Sequence, residues 1–118
     1  AGMSLDEWFL SPPATPVAVD SINSEYDDKC PFVKGRYMVF TSDMPGGSGG
    51  FDLYYSIFRN GKWSSPVNMG PGINSAANEY RPVLGKDLKF ENYFLVFSSD
   101  RSGGKGGYDL YFTGINLP

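Results

Sequence analysis

The sequence predicts an all-β chain made of two copies of one four-stranded unit. The first ground is a near repeat. Phe40-Thr41-Ser42-Asp43 and Gly49-Gly50-Phe51-Asp52-Leu53-Tyr54 return as Phe97-Ser98-Ser99-Asp100 and Gly106-Gly107-Tyr108-Asp109-Leu110-Tyr111. The spacing is constant, since 97 − 40 and 109 − 52 are both 57. The second ground is Ile22-Asn23-Ser24, which returns as Ile73-Asn74-Ser75 while Pro31 returns as Pro82, each 51 residues on (73 − 22 and 82 − 31). The extra residues of the second copy fall between Pro82 and Phe97. There Lys86-Asp87-Leu88-Lys89-Phe90-Glu91-Asn92 stands in place of Lys34-Gly35-Arg36. A period near fifty marks stacked repeats. The third ground is texture: the apolar runs are short and rich in aromatic and β-branched residues, which suits strands. With 15 glycines and 16% aromatic residues, the composition fits turn-dense β structure.

The elements follow in order. Ser4-Leu5-Asp6-Glu7 reads as a capping box that opens one helical turn over residues 4–10, ended by Ser11-Pro12-Pro13. Trp8 and Phe9 of that turn are expected to pack outside the sheets. Residues 1–13 therefore stand apart from a repeat region over 14–118. Pro16-Val17-Ala18-Val19 precedes Ile22-Asn23-Ser24 as Pro66-Val67-Asn68-Met69 precedes Ile73-Asn74-Ser75, so residues 16–19 read as an orphan outer strand. Residues 31–69 hold one complete unit, with strands at 31–33, 37–41, 51–58 and 62–69. Asn60-Gly61 joins the last two as a tight hairpin, because both central positions of that turn need positive φ. Met44-Pro45-Gly46-Gly47-Ser48-Gly49-Gly50 is the loop between the second and third strands. Residues 82–113 supply only three strands, at 82–84, 93–98 and 108–113. Tyr93-Phe94-Leu95-Val96-Phe97 is apolar on both faces, whereas a strand with one wet face alternates. Such a strand belongs in a sheet held between two like sheets. Four-stranded sheets stacked around an axis make a β-propeller.

One, four and three strands make eight, or two propeller blades in permuted strand order. Two blades cannot close a ring, which takes about four to eight. The expectation is that the first strand of one chain completes the last blade of its neighbour. Three chains then close a six-bladed homo-oligomeric ring, and the open strand edge disappears. The whole strand count favours this over a fragment cut from a longer propeller. Dimers of four blades and tetramers of eight stay open.

The strings Ile-Asn-Ser, Glu79-Tyr80 and Pro82, then Phe97-Ser98-Ser99-Asp100-Arg101 and Gly103-Gly104-Lys105-Gly106-Gly107-Tyr108-Asp109-Leu110-Tyr111, resemble the TolB-type, WD-repeat-like propeller repeat of bacteria. Gly61-Lys62-Trp63-Ser64 followed by Pro66-Val67-Asn68 adds to the likeness, which covers residues 14–114. The glycine-rich string ending in Asp-Leu-Tyr is its most specific part. The resemblance implies an envelope or secreted binding scaffold, periplasmic or extracellular in place, of a kind mostly not enzymatic.

Composition narrows the function further. A net charge of −3 and a pI near 4.7 argue against nucleic acid, which needs a basic face. No apolar run approaches the ~20 residues of a membrane span, and no signal peptide is visible. Ala1-Gly2 ahead of Met3 reads as a tag scar, which leaves room for a natural leader upstream. The chain has no histidine, the commonest general base and metal ligand. Its single Cys30 excludes an internal disulfide and a multi-thiolate zinc site, and reads as a small buried hydrophobe ahead of Pro31. No metal and no cofactor are expected.

Two sets of polar residues stand out. Asp52 and Asp109 each follow two glycines and open a strand, while Asp43 and Asp100 stand at the other end of the same loops. All four read as structural turn residues, their carboxylates accepting loop N–H groups. In a propeller, the connection into the inner strand and the loop from second to third strand open on one face. That face carries Glu25, Tyr26 and Asp27 in the first repeat, and Glu79, Tyr80, Arg81 and Arg101 in the second. Polar groups beside aromatics suit a small polar ligand or a sugar, which makes carbohydrate one ligand class to test. The same residues serve equally as clamps between blades. Trp63 reads as blade packing, with a sugar-stacking role as the minor alternative. The reading is a non-catalytic binding module. Its alternatives are a protein-interaction scaffold or, below that, a glycoside hydrolase, which needs two carboxyls about 5–10 Å apart.

Overall fold

The computed structural model describes residues 15–118 apart from 88 and 90, so the helical turn expected over 4–10 lies outside the described residues. What it describes is all-β. Eight strands run in order: β1 (Asp28–Lys34), β2 (Tyr37–Ser42), β3 (Asp52–Arg59), β4 (Lys62–Trp63), β5 (Val67–Asn68), β6 (Glu79–Gly85), β7 (Tyr93–Ser99) and β8 (Asp109–Ile115). They form two antiparallel sheets. In the first, β1-β2-β3-β4 lie side by side and β5 also pairs with β3; in the second the order is β6-β7-β8. Within β1 to β4 and within β6 to β8, each strand folds back beside its predecessor. Asn60 (φ 53) and Gly61 (φ 80) make the β3–β4 hairpin by the positive dihedrals that a two-residue loop of this hand requires.

The expected fourth strand over 62–69 is interrupted. Pro66 has no N–H to give to a ladder. Ser64 takes over with its side chain, its Oγ accepting from the Ile57 N–H at 2.9 Å while its own N–H donates to Ile57 O at 2.9 Å. Two short strands, β4 and β5, remain on either side. The orphan strand expected over 16–19 is not a strand and pairs with none among the described residues. Instead the Val19 carbonyl accepts from Ile22 N (3.0 Å) and Asn23 N (2.9 Å), closing a turn.

Both first strands of the sheets carry the same irregularity. Pairing slips between Lys29 and Phe32 in β1 and between Tyr80 and Val83 in β6. Cys30 (φ 55) and Arg81 (φ 53) sit in the left-handed region there, each followed by a proline. A bulge accommodates both the missing N–H and the extra residue. It also leaves Cys30 half-buried at the sheet edge instead of in the core.

The sheets stack face to face around Tyr37, Val39, Leu53 and Ile57 of the first and Leu84, Leu95 and Phe97 of the second. A second cluster lies on the outer face of the first sheet, where Ile22, Phe40, Tyr54, Phe58 and Trp63 pack together. The faces that meet are unlike. Val39 and Leu53 face the core, but their repeats Val96 and Leu110 lie on the far side of the second sheet, since Leu95 and Phe97 face inward and successive side chains alternate.

Hydrogen bonds lock the stack. The buried Asn74 amide accepts from Leu53 N at 2.7 Å and donates to Leu53 O at 3.1 Å. Gly50 N donates to Ala77 O (3.2 Å), Glu79 N to Phe51 O (2.8 Å) and Phe51 N to Asn78 Oδ1 (2.9 Å). Backbone comes so close here that a Cβ on Gly49 would meet the main chain of Ser75 and Ala76. Leu95 is fully buried where the sheets meet. Leu95→Ala is expected to cost about 2–5 kcal/mol, the range for a truncated buried leucine, read from the midpoint of urea unfolding.

Candidate functional site

The two repeats share one hydrogen-bonded frame at the end where the connections into β1 and β6 meet the glycine-rich loops. Ser24 gives its N–H (2.8 Å) and hydroxyl (3.0 Å) to Asp28, and Ser75 gives the same groups to Glu79 (3.0 and 2.5 Å). Tyr26 N donates to Ser24 Oγ as Ala77 N donates to Ser75 Oγ. Asp27 N donates to Asp43 Oδ1 at 3.0 Å as Asn78 N donates to Asp100 Oδ1 at 2.7 Å. The loop carboxylates are held alike. Asp52 accepts from Ser48 N (2.6 Å) and Asn68 Nδ2 (3.3 Å), and Asp109 accepts from Gly106 N with both oxygens (3.3 Å).

On this frame lies a row of rings. Phe51 and Tyr80 have centroids 5.0 Å apart, and Tyr80 and Tyr108 have theirs 5.5 Å apart. Lys29 Nζ sits 4.8 Å over the Phe51 ring at one end. At the other end, Tyr80, Arg81, Ser98 and Tyr108 line a depression of about 260 Å³. Arg81 is exposed, and Tyr108 is half open to solvent at 49%. The row crosses from one sheet to the other, because Phe51 belongs to the first and Tyr80 to the second.

Electrostatics keep the open end polarised. The Asn78 backbone N–H, then its side-chain amide, hold the Asp100 carboxyl below its ordinary 3.8. Desolvation, then the Asp100 charge, push the Tyr108 phenol above 10.0, so it stays neutral and able to donate.

The candidates named from sequence divide. Tyr80 and Arg81 are brought together at the depression. Glu25, Tyr26 and Asp27 are exposed on the preceding connection of the first repeat. Glu79 is not available to a ligand: it is 0% exposed, and its carboxylate accepts from Ser75, from Ser99 Oγ (2.8 Å) and from Arg101 (3.5 Å). Arg101 is spent in the same place. Its Nη2 donates to Ile73 O at 2.8 Å, and its guanidinium stacks over Phe97 and Tyr111. Trp63 is buried edge-on against Phe58, with no ring face for a sugar. Phe51 and Tyr108 were missed, although both sit one residue before Asp52 and Asp109 in the repeated string. The signal was there: an aromatic at the mouth of each loop, 57 residues apart.

Comparison with known proteins yields no matching family model, no matching curated protein and no matching solved structure.

Glu79→Ala is expected to destabilise the fold by about 3 kcal/mol, because it strips half-buried Arg101 and Ser75 and buried Ser99 of a buried acceptor. Asp28→Ala, half-buried and without an arginine, is expected to cost about 1 kcal/mol. Paired urea melts check the contrast. Asp100 also sets a pH dependence. Its folded pKa lies below the unfolded value, so its stabilisation is full above 3.8 and is lost as pH falls through the folded value. Asp100→Asn is therefore expected to flatten the acid limb of a stability profile below pH 3.8.

Proposed function

We propose that the chain is a non-catalytic binding module, its two sheets being blades of a TolB-like β-propeller completed by other copies. Its ligand is a small polar molecule, a carbohydrate first, held along Phe51, Tyr80 and Tyr108 between Lys29 and Arg81. One observation carries this reading: a row of aromatic rings, half-buried at Phe51 and Tyr80 and open to solvent at Tyr108, flanked by cationic and phenolic hydrogen-bond donors. A pyranose offers C–H bonds on one face and hydroxyls around its rim, and such a row meets both demands. Tyr26, Glu25 and Asp27 lie on the adjoining connection and supply acceptors that the row lacks.

The use of the carboxylates supports a non-catalytic role. Asp28, Asp43, Glu79, Asp100 and Asp109 are each engaged by a backbone N–H or a serine hydroxyl, which fits them as frame-builders. A second reading, a protein-interaction scaffold, is favoured by Leu110 and Phe112, exposed on the far face of the second sheet.

A glycan array with the intact chain tests the first reading. Binding is expected to at least one glycan class. Tyr80→Ala and Tyr108→Ala are expected to weaken it by about tenfold or more, in line with the loss of a stacked ring. A blank array, or binding indifferent to both variants, rejects the site.

A further inference from the structure

The second sheet presents to solvent the face that the first sheet buries. Leu110 is 76% exposed and Phe112 83% exposed, whereas Leu53, the repeat of Leu110, is fully buried and Tyr55, the repeat of Phe112, packs on the core. The outer edge of β8 also pairs with no strand among the described residues, while β3 at the same place is paired with β4 and β5. An apolar face and an open strand edge in one place call for a cover.

The cover is present on the same chain. In the first sheet the segment that docks on β3 runs from Gly70 through Glu79. The Gly70 carbonyl accepts from Ile73 N (3.2 Å) and Asn74 N (2.8 Å); the Val19 carbonyl accepts from Ile22 N and Asn23 N in the same way. The serine–acid pair that follows is likewise repeated, Ser24–Asp28 for Ser75–Glu79. The turn before β1 is thus already folded in the docking conformation. Asn23, the repeat of Asn74, is exposed. Beside it, Val19, Ile22, Met38 and Phe40 line a cavity of about 170 Å³. Their repeats Ile73, Leu95 and Phe97 are the side chains that Leu53 packs among.

Glycines give an independent sign. A Cβ on Gly49 or Gly50 would strike the docked segment, at the Ser75 and Ala76 main chain or at the Asn78 amide. At Gly106 the nearest atom is 3.8 Å from a Cβ, and at Gly107 nothing lies within 4 Å; neither has positive φ. Within one copy nothing requires glycine at either position. A segment docked as residues 75–78 dock on Gly49 and Gly50 would require it.

We propose that the chain binds a second copy of itself head to tail, residues 19–28 of one copy docking on β8 and the 100–109 loop of the next. It rests on reading the two sheets as like units of one propeller, and on nothing about the ligand. Leu110 of one copy fills the cavity beside Ile22 and Phe40 of the next. Asn23 takes both main-chain groups of Leu110, and Asp28 N donates to Tyr108 O. Lys29 comes over the Tyr108 ring, so the aromatic row continues across the contact. Such a contact joins two different surfaces and closes when the rotation allows; three copies, six sheets, make the ring.

Light scattering after size exclusion, on the intact chain, tests this. A mass of 3 × 13.0 kDa, or 39 kDa, is expected. Asn23→Ala, Leu110→Lys and Gly106→Ala all change positions that are open within a copy, so each is expected to keep its melting behaviour as an isolated unit. Each is expected to weaken association at least about tenfold, because main-chain groups lose a partner (Asn23→Ala), an unpaired ammonium meets the apolar cavity (Leu110→Lys) or backbones can no longer meet (Gly106→Ala). Hydrogen exchange reads the same contact: the Leu110 amide is protected in the parent and exposed in Leu110→Lys. A parent mass of 13.0 kDa overturns the proposal, as does an oligomer that all three variants leave intact. Another multiple that the variants dissolve keeps the contact and overturns closure at three. A monomer leaves the aromatic row, which lies within one copy, for the glycan array to judge; a blank array leaves the contact standing.

Discussion

Asn74 and its hold on Leu53 organise the molecule. β3 borders on the region where the fourth strand is broken, and the outward N–H and carbonyl of Leu53 need partners there. One buried carboxamide shares the task with the Met69 N–H, which also donates to Leu53 O at 3.0 Å. Its own position is fixed by Asn68 Oδ1 at 2.9 Å. With Asn74 seated, Ile73 enters the core, Ser75 reaches Glu79, and β6 starts where it can lie against the first sheet. Asn68 in turn donates to Asp52, whose other carboxylate oxygen is buried without a hydrogen-bond partner among the described residues, so the network is selective at some cost in stability.

Because both repeats use the same frame, function is to be sought where their side chains differ. Position by position, Lys29 corresponds to Tyr80, Cys30 to Arg81, Asp27 to Asn78 and Met44 to Arg101 in the sequence repeat. The frame residues of these turns are spent on backbone groups and have nothing left for a ligand. Of the variable ones, Asn78 and Arg101 are bonded into that frame, while Lys29, Tyr80 and Arg81 stand on it as a rigid support, the arrangement in which loops carry recognition. Tyr80 gains its neighbours from both sheets, so the docking of one repeat on the other is also what assembles the aromatic row.

Much of this was legible in the chain. The repeated strings and their short apolar runs placed β1 to β3 and β6 to β8 to within a few residues, whereas the strand expected over 16–19 is absent, and Asn60-Gly61 announced its hairpin. The broken fourth strand was not, since a run such as Lys62-Trp63-Ser64-Ser65-Pro66-Val67 reads as one strand until Ser64 is seen bonding with its side chain. Glu79 illustrates a different limit. In a list of loop residues it looks like a ligand-seeking acid, because burial depends on what folds over it. A serine four residues before the acid, in both repeats, was the available sign of a structural pair. The bulges at Cys30 and Arg81 were hinted at only by the prolines that follow them.

The order of the strands has a kinetic meaning. β1 to β4 and β6 to β8 lie beside one another in chain order, while β5 steps back past β4 to pair with β3. Each sheet can therefore zip from its hairpins with little loop entropy to overcome, as topologies with local pairing do. The late event is the meeting of the sheets, which must bring Asn74 to Leu53 and the glycines of the first loop onto the main chain of the connection. The first moments of folding belong to each repeat separately, and the stack is where they become one cooperative unit.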